Sequence, residues 1–481
     1  MLIYNSLSHK KEEFIPVDST VKLYSCGPTV YSYAHIGNLR TYVLTDWLKR
    51  VLIYNGYNLK HAMNITDVGH LTSDADSGED KMEKAAKEQG KTAWEIAEHY
   101  AQVFFSDLKK LNTLPADIIA KATDHIQEDI LLISELEKQG FTYRTSDGIY
   151  FDTSKFKEYG VLTGLSWEQL NNSLKGGARI ELSEEKKNIT DFSLWKFSPN
   201  NEKRQMEWPS PWGVGFPGWH IECSAINLKY LADAFENDIF YPEKAKTIDF
   251  HTGGIDLLPI HHTNEIAQVE PITHKPFIKY WVHGEFLIIK GGRMAKSEGG
   301  GLTLSILIEK GYDPLIYRYF LLNAHYRTKM EFDYEGLDAA NNSLSSLREL
   351  VWNLKNKNDV STDLDLSNYQ KDFKEAINDD LNLPKALSIV WTAIKEYKKQ
   401  PEQYSSKKTL AMILDFDKVL GLDLDNWQPA EIPEEIKDLA EKRNQLRLEK
   451  KYAEADEIRI QIEKMGYSLK DNGSTIDIQK I

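Results

Sequence analysis

Short apolar runs separated by polar loops fill the first half of the chain, and helical spacing dominates the second half. Residues 21–24 read as a strand, 42–54 carry apolar residues at helical intervals, and 59–63 read as a second strand. Between the first strand and the helix lie Cys26-Gly27-Pro28-Thr29 and His35-Ile36-Gly37-Asn38. Strand, loop, helix and strand in this order open a doubly wound parallel sheet, whose loops gather on one edge where phosphates bind.

Helical patterns over 81–89 and 92–111 follow, the second opened by the capping-box sequence Thr92-Ala93-Trp94-Glu95. A helix over 124–139 stops at Gly140, and 141–143 with 149–151 form a hairpin around Ser146-Asp147-Gly148. The sheet pattern resumes after Trp208 with a helix over 225–235, a strand leading to His251, and a helix opened by His261. Residues 281–289 read as one further strand. From Leu302 the pattern is almost entirely helical, with amphipathic stretches at 337–353 and 370–399, the latter interrupted by Pro384. Pro429 and Pro433 mark a linker before a charged helical pair over 434–465.

A chain of 481 residues exceeds one core and implies three or four domains. No apolar run approaches the ~20 residues of a membrane span, and residues 1–5 lack the pattern of a signal peptide, so a cytoplasmic location is expected. The net charge of −14 excludes indiscriminate nucleic-acid binding but leaves room for a specific partner held on local basic faces. Lys437, Lys442, Arg443, Arg447, Lys450 and Lys451 form such a local cluster, interleaved with Glu434, Glu435, Glu441 and Glu449.

The only two cysteines are Cys26 and Cys223, too few for a disulfide scaffold. His261 and Glu265 stand four apart and share a helix face. That pair alone is more often solvated than metal-binding. Both cysteines read as lying where a loop meets a helix, so two thiolates, one imidazole and one carboxylate make a zinc site from distant segments. His35-Ile36-Gly37-Asn38 alone is a weak signal: Gly37 lets a phosphate approach the backbone, or His35 merely caps a helix.

At this point the chain resembles a cysteinyl-tRNA synthetase, a class I aminoacyl-tRNA synthetase, nearly end to end. The resemblance rests on CGPTVYSYAHIGNLRT from Cys26, NITD from Asn64, DFSLWK from Asp191 and WPSPWG from Trp208. It continues through GWHIECSA from Gly218, HHTNEIAQ from His261, RMAKS from Arg293, DDLNLPKAL from Asp379 and YAEADEIR from Tyr452. It implies a Rossmann-type α/β parallel-sheet catalytic domain with an insertion, followed by a mainly α-helical anticodon-binding region.

The resemblance also implies one zinc ion on Cys26, Cys223, His261 and Glu265, binding the substrate's thiol. ATP, with Mg2+, falls to His35, Gly37, Asn38, Gly253, Asp256 and Lys296, of which His35, Asn38 and Lys296 are the catalytic candidates. The implied partners are L-cysteine and tRNA(Cys), with no membrane and a monomeric chain. Implied bounds are 1–114 and 208–292 for the halves of the catalytic domain, with 115–207 as the connective insertion. Residues 293–334 carry the signature loop and stem contact, 335–430 the anticodon-binding helices and 431–481 a small tRNA-contacting domain.

Asn38 stands where the family's signature has histidine, Arg293 where the second signature has its first lysine, and Ala295 where that signature has serine. Residues 73–80 and 236–247 read as surface insertions. Two other readings stay open: a ligase joining cysteine to glucosaminyl-inositol, against which the helical region 335–481 argues, and a silent paralogue, against which His35, Lys296 and the four metal positions argue.

Overall fold

The computed structural model describes residues 1–69, 80–176, 185–199, 204–290, 301–358, 365–429, 431–472 and 475–480. Its centre is a five-stranded, all-parallel sheet built from β1 (Thr20–Ser25), β2 (Asn58–Ile65), β3 (Ile118–Lys121), β4 (Ile248–Gly254) and β5 (Ile278–Gly284). The spatial order is β5-β4-β1-β2-β3. Chain order reverses between β1 and β4, so a crevice opens beyond their carboxyl ends, the place where such sheets bind ligands.

Alternation along β1 explains the two layers. Val21 and Leu23 enter one apolar cluster together with Val43, Trp47 and Val51 of helix α1 (Ile36–Tyr54). Tyr24 points to the opposite face, into a second cluster with Ile226 of α4 (Trp219–Tyr230) and Val269 of α5 (Thr263–Thr273). Helices α2 (Lys81–Gln89) and α3 (Ala93–Lys110) pack on the α1 side, and the capping box at Thr92 forms with Glu95 as expected.

Several expectations shift. The sheet takes its fifth strand, β3, from within the stretch read as an insertion. The rest of that stretch supplies the expected hairpin, Thr142–Arg144 with Gly148–Phe151, extended by Phe192–Phe197 and Gly215–Pro217 into a four-stranded antiparallel sheet. The helix expected over 225–235 is α4, which starts six residues earlier at Trp219, so Cys223 sits inside a helix rather than in a loop before one. Residues 281–289 are not one strand: β5 ends at Gly284, and Leu287–Ile289 pairs instead with Met330–Phe332. Residues 236–247 hold a two-stranded turn and a short 3-10 helix; residues 73–79 fall outside the described residues.

Beyond Leu302 the helices Tyr334–Asn356, Ser367–Asn378, Leu383–Lys399 and Ser406–Leu420 bundle together. Pro384 lies in the first turn of its helix, where its missing N–H costs nothing, rather than interrupting one. Leu347, Phe373 and Phe416 of this bundle belong to the same apolar cluster as Val43 and Trp47 of α1. A buried ionic hub lies at this junction: Asp46 of α1 accepts from Arg318 at 2.5 Å and from Arg50 at 2.8 Å, while Arg318 also donates to the Leu420 carbonyl at 2.8 Å. The C-terminal pair, Glu434–Leu448 and Tyr452–Lys464, packs with a hairpin over its own small core of Ile436, Ala440, Ile458, Ile462 and Leu469. Among the described residues no helix is long and apolar enough to cross a membrane.

Candidate active site

The loop leaving β1 is laced onto the end of β2. The Gly27 N–H donates to Asn64 Oδ1 at 2.7 Å, Thr66 N–H to the Pro28 carbonyl at 3.1 Å, and Val30 N–H to the Thr66 carbonyl at 3.2 Å. Gly27 is required here, because a Cβ would stand 1.6 Å from the Asn64 carbonyl oxygen. This lacing holds Cys26 at the mouth of the crevice, with its N–H directed to the Thr252 carbonyl of β4.

Three further segments converge on Cys26. α4 delivers Cys223, a single turn of π-helix over Leu258–His262 delivers His261, and α5, which continues it, delivers Glu265. One donor atom from each of Cys26, Cys223, His261 and Glu265 lies within 4.8 Å of every other. Glu265 Oε1 is 3.2 Å from His261 Nε2 and 4.0 Å from Cys26 Sγ. Donors around a tetrahedral zinc stand about 3.3–3.8 Å apart, given bonds of about 2.0–2.3 Å, so these four fit such an ion. Cys26, His251, His262 and Glu265 make a second group of four with the same closeness, sharing two members with the first.

Electrostatics separate the two groups. A hydrogen bond from Cys26 pulls the Cys223 thiol down to about 6, against its burial. Burial pulls His261 down, but the Cys223 thiolate and the Glu265 carboxylate beside it together more than offset this and raise it to about 10. Burial likewise opposes ionisation of Glu265, and His251 and His261 together overcome it, holding the carboxyl below its ordinary range. The Cys26 thiol is pushed up by burial and by the neighbouring anions. Negative charge thus concentrates on Cys223 and Glu265. His262, by contrast, is held neutral by burial among other histidines.

Outer histidines orient the inner ones. His251 Nε2 meets Glu265 Oε2 at 3.0 Å, which leaves Oε1 facing Cys26 and His261. His220 Nδ1 lies 2.8 Å from His261 Nδ1 and turns Nε2 toward the cluster. His262 joins Cys26 Sγ at 3.4 Å to His283 at 2.8 Å, and His283 reaches Ser6 Oγ at 2.7 Å. Such second partners fix which nitrogen faces a metal. Sequence reasoning names His261 and misses His220, His251, His262 and His283; the available signal is the crowding of histidines over residues 220–283.

A cavity of about 400 Å3 runs from Cys26 and Trp219 past Gly253, Gly254 and Asp256 to His35 and Asn38. His35 caps α1: its Nδ1 accepts the Asn38 N–H at 3.2 Å, and its own N–H donates to Asn38 Oδ1 at 3.2 Å. A Cβ at Gly37 would lie 3.0 Å from the His35 ring, so the bare glycine leaves that ring its place. Partial burial keeps the His35 imidazole below its usual range, Asp256 opposing the shift only in part. Lys296, with Arg293 and Ala295, lies outside the described residues. The flanks of that segment are placed: Lys290 N–H donates to the Phe332 carbonyl, and Ile36 N–H to the Leu302 carbonyl at 2.8 Å beside a bridge between His35 and Thr303.

Comparison with known proteins decides the family. The description "tRNA synthetases class I (C) catalytic domain" matches residues 14–342, and the DALR domain matches 372–425. Cysteine–tRNA ligase 1 of Burkholderia lata is 44% identical over 98% of this chain and 95% of its own. The cysteine–tRNA ligase of Treponema denticola is 42% identical over 100% and 99%. The chain belongs to the class I cysteine–tRNA ligase family. Its fold agrees with that of Mycobacterium tuberculosis methionyl-tRNA synthetase bound by methionyl-adenylate, at a TM-score of 0.58 and 15% identity over 84% of this chain and 88% of that one. The family's DALR match falls on the helical bundle, so the expected order of an α/β catalytic half followed by helices holds. In the C-terminal pair Arg443 is 3% exposed, which removes it from the basic surface read from the sequence; Lys437 pairs with Glu434 and Lys451 with Glu449.

Proposed function

We propose that the chain activates L-cysteine with ATP and passes the cysteinyl group to the 2′-hydroxyl of the terminal adenosine of tRNA(Cys). One observation carries this reading beyond the family: a second thiol, an imidazole and a carboxylate gather around Cys26, which lines the same cavity as the His35 loop. Cys26, Cys223, His261 and Glu265 are the residues that would hold zinc. Zinc held there supplies a soft Lewis acid that favours a thiol sulfur over a hydroxyl oxygen.

In activation the substrate carboxylate oxygen bonds to the α-phosphorus of ATP, the bond to the bridging oxygen breaks, and pyrophosphate leaves with the electron pair. Nothing covalent is asked of the protein, so positioning and charge stabilisation carry the step. With Nδ1 of His35 taken by Asn38, only its Nε2–H remains to donate to phosphate oxygens. Asn38, Gly253 and Asp256 line the same stretch, and Lys296, on the strength of the family signature, supplies a cation to the phosphates of ATP and its Mg2+.

The helical bundle argues against a small acceptor such as glucosaminyl-inositol. Cysteine-dependent exchange of pyrophosphate into ATP, followed by transfer to tRNA, tests the proposal. Exchange without transfer would contradict the RNA acceptor, and no exchange at all would mark a silent paralogue.

A further inference from the structure

The cavity has a third end that neither the thiol cluster nor the His35 turn uses. Tyr31 and Tyr33 line it from the loop after β1, Lys81 from the start of α2 and Tyr100 from α3. Tyr33 is 48% exposed, an uncommon position for so large a ring at a cavity mouth. Its ring is not loose: Tyr100 meets it edge to face at 4.9 Å, and His99 does so at 6.1 Å. Lys81 Nζ stands 5.5 Å from the centre of the Tyr31 ring, and among the described residues no carboxylate pairs with it.

A fixed, half-open aromatic ring beside a lysine suits an unpaired nucleotide, because any base stacks on such a face while the cation meets the phosphate. The reaction itself demands that a nucleotide reach this cavity. The acceptor hydroxyl oxygen must come within about 3–3.5 Å of the activated carbonyl carbon before transfer. Its oxygen then bonds to that carbon, the carbon–oxygen bond to phosphate breaks, AMP leaves with the electron pair, and the hydroxyl proton passes to the departing phosphate or to water.

We propose that Tyr33, backed by Tyr100 and His99 and flanked by Tyr31 and Lys81, seats the unpaired 3′ end of the tRNA acceptor strand. The inference rests on the function proposed above and names where its second substrate binds. A base stacks on Tyr33, and Lys81 neutralises a phosphate of the same strand.

The test separates the two half-reactions in the full chain. Tyr33→Leu should slow single-turnover transfer from preformed cysteinyl adenylate about tenfold or more, the scale of losing one stacked base, and slow pyrophosphate exchange far less. Tyr33→Trp should restore transfer, and Lys81→Gln should lower the salt dependence of tRNA binding. Transfer unchanged in Tyr33→Leu would overturn the proposal. Equal losses in exchange and transfer would also overturn it, placing the adenine of ATP on Tyr33 instead. Absence of exchange in the unsubstituted protein is a distinguishable failure, one that removes the proposed function and this inference with it.

Discussion

The Asn38 backbone N–H donates to Nδ1 of His35 at 3.2 Å, so the first helical turn fixes the tautomer of the histidine that caps it. The imidazole is neutral at pH 7, its affinity for protons lowered by partial burial, and its one remaining proton is on Nε2. His35→Ala should therefore reduce the rate of pyrophosphate exchange about 10²–10³-fold, the scale of losing one preorganised donor, with little change in cysteine affinity. Asn38→His, which restores the more usual family residue, should keep most of that rate because the Asn38 N–H comes from the backbone. Pre-steady-state adenylate formation measures both.

Gly27 is the tightest point of the site. Its missing Cβ leaves room for the Asn64 carbonyl, which would otherwise lie at 1.6 Å. Gly27→Ala must push the loop off β2 and carry Cys26 with it. The expected result is loss of bound zinc together with loss of exchange activity, while far-UV circular dichroism stays close to that of the unsubstituted chain. Metal content per chain, read beside the exchange rate, checks the link between the lacing and the metal ligands.

Asp46 is the charge at the junction of α1 and the helical bundle. Burial alone would raise its carboxyl, but Arg318 and Arg50 hold it below the ordinary carboxylate range. A carboxyl depressed in the folded state favours folding above its unfolded value of about 3.9 and loses that contribution as pH falls through its folded value. Asp46→Asn should lose this pH-dependent component and leave Arg318 buried without a counter-charge. The expected cost is about 3–5 kcal/mol at neutral pH, shrinking as the solution is made acidic. Thermal midpoints from pH 3 to 7 for both chains give the comparison.

The C-terminal pair has its own apolar core, centred on Ile436, Ile458 and Ile462. Truncation before Glu431 should therefore leave cysteine activation intact and weaken tRNA charging. Charging at full efficiency by the truncated chain would show that this pair does not contact tRNA.

Much of this arrangement was legible in the chain. Strand–loop–helix periodicity around Cys26 to Thr41 marks the sheet edge, and His261 with Glu265 sit at a spacing that shares a helix face. The start of α4 was not legible, because Trp219 to Cys223 interleaves His220 and Glu222 with apolar residues and is buried on nearly every side, so no apolar helical stripe shows. Strand β3 escaped for a related reason: Ile118–Lys121 is only four residues and follows a proline that looks like a boundary. The orienting histidines depend on the approach of α4, β4, the π-helical turn and β5, which only the folded chain creates.

The central claim is that Cys26, Cys223, His261 and Glu265 hold a metal that selects cysteine by its sulfur. Absorption spectroscopy of the cobalt-substituted protein tests it most directly. Adding L-cysteine should intensify and shift the thiolate-to-metal bands, and adding L-serine should leave them as they were. A spectrum that cysteine does not change, or a Cys223→Ser chain that lacks metal yet still rejects serine, would contradict it.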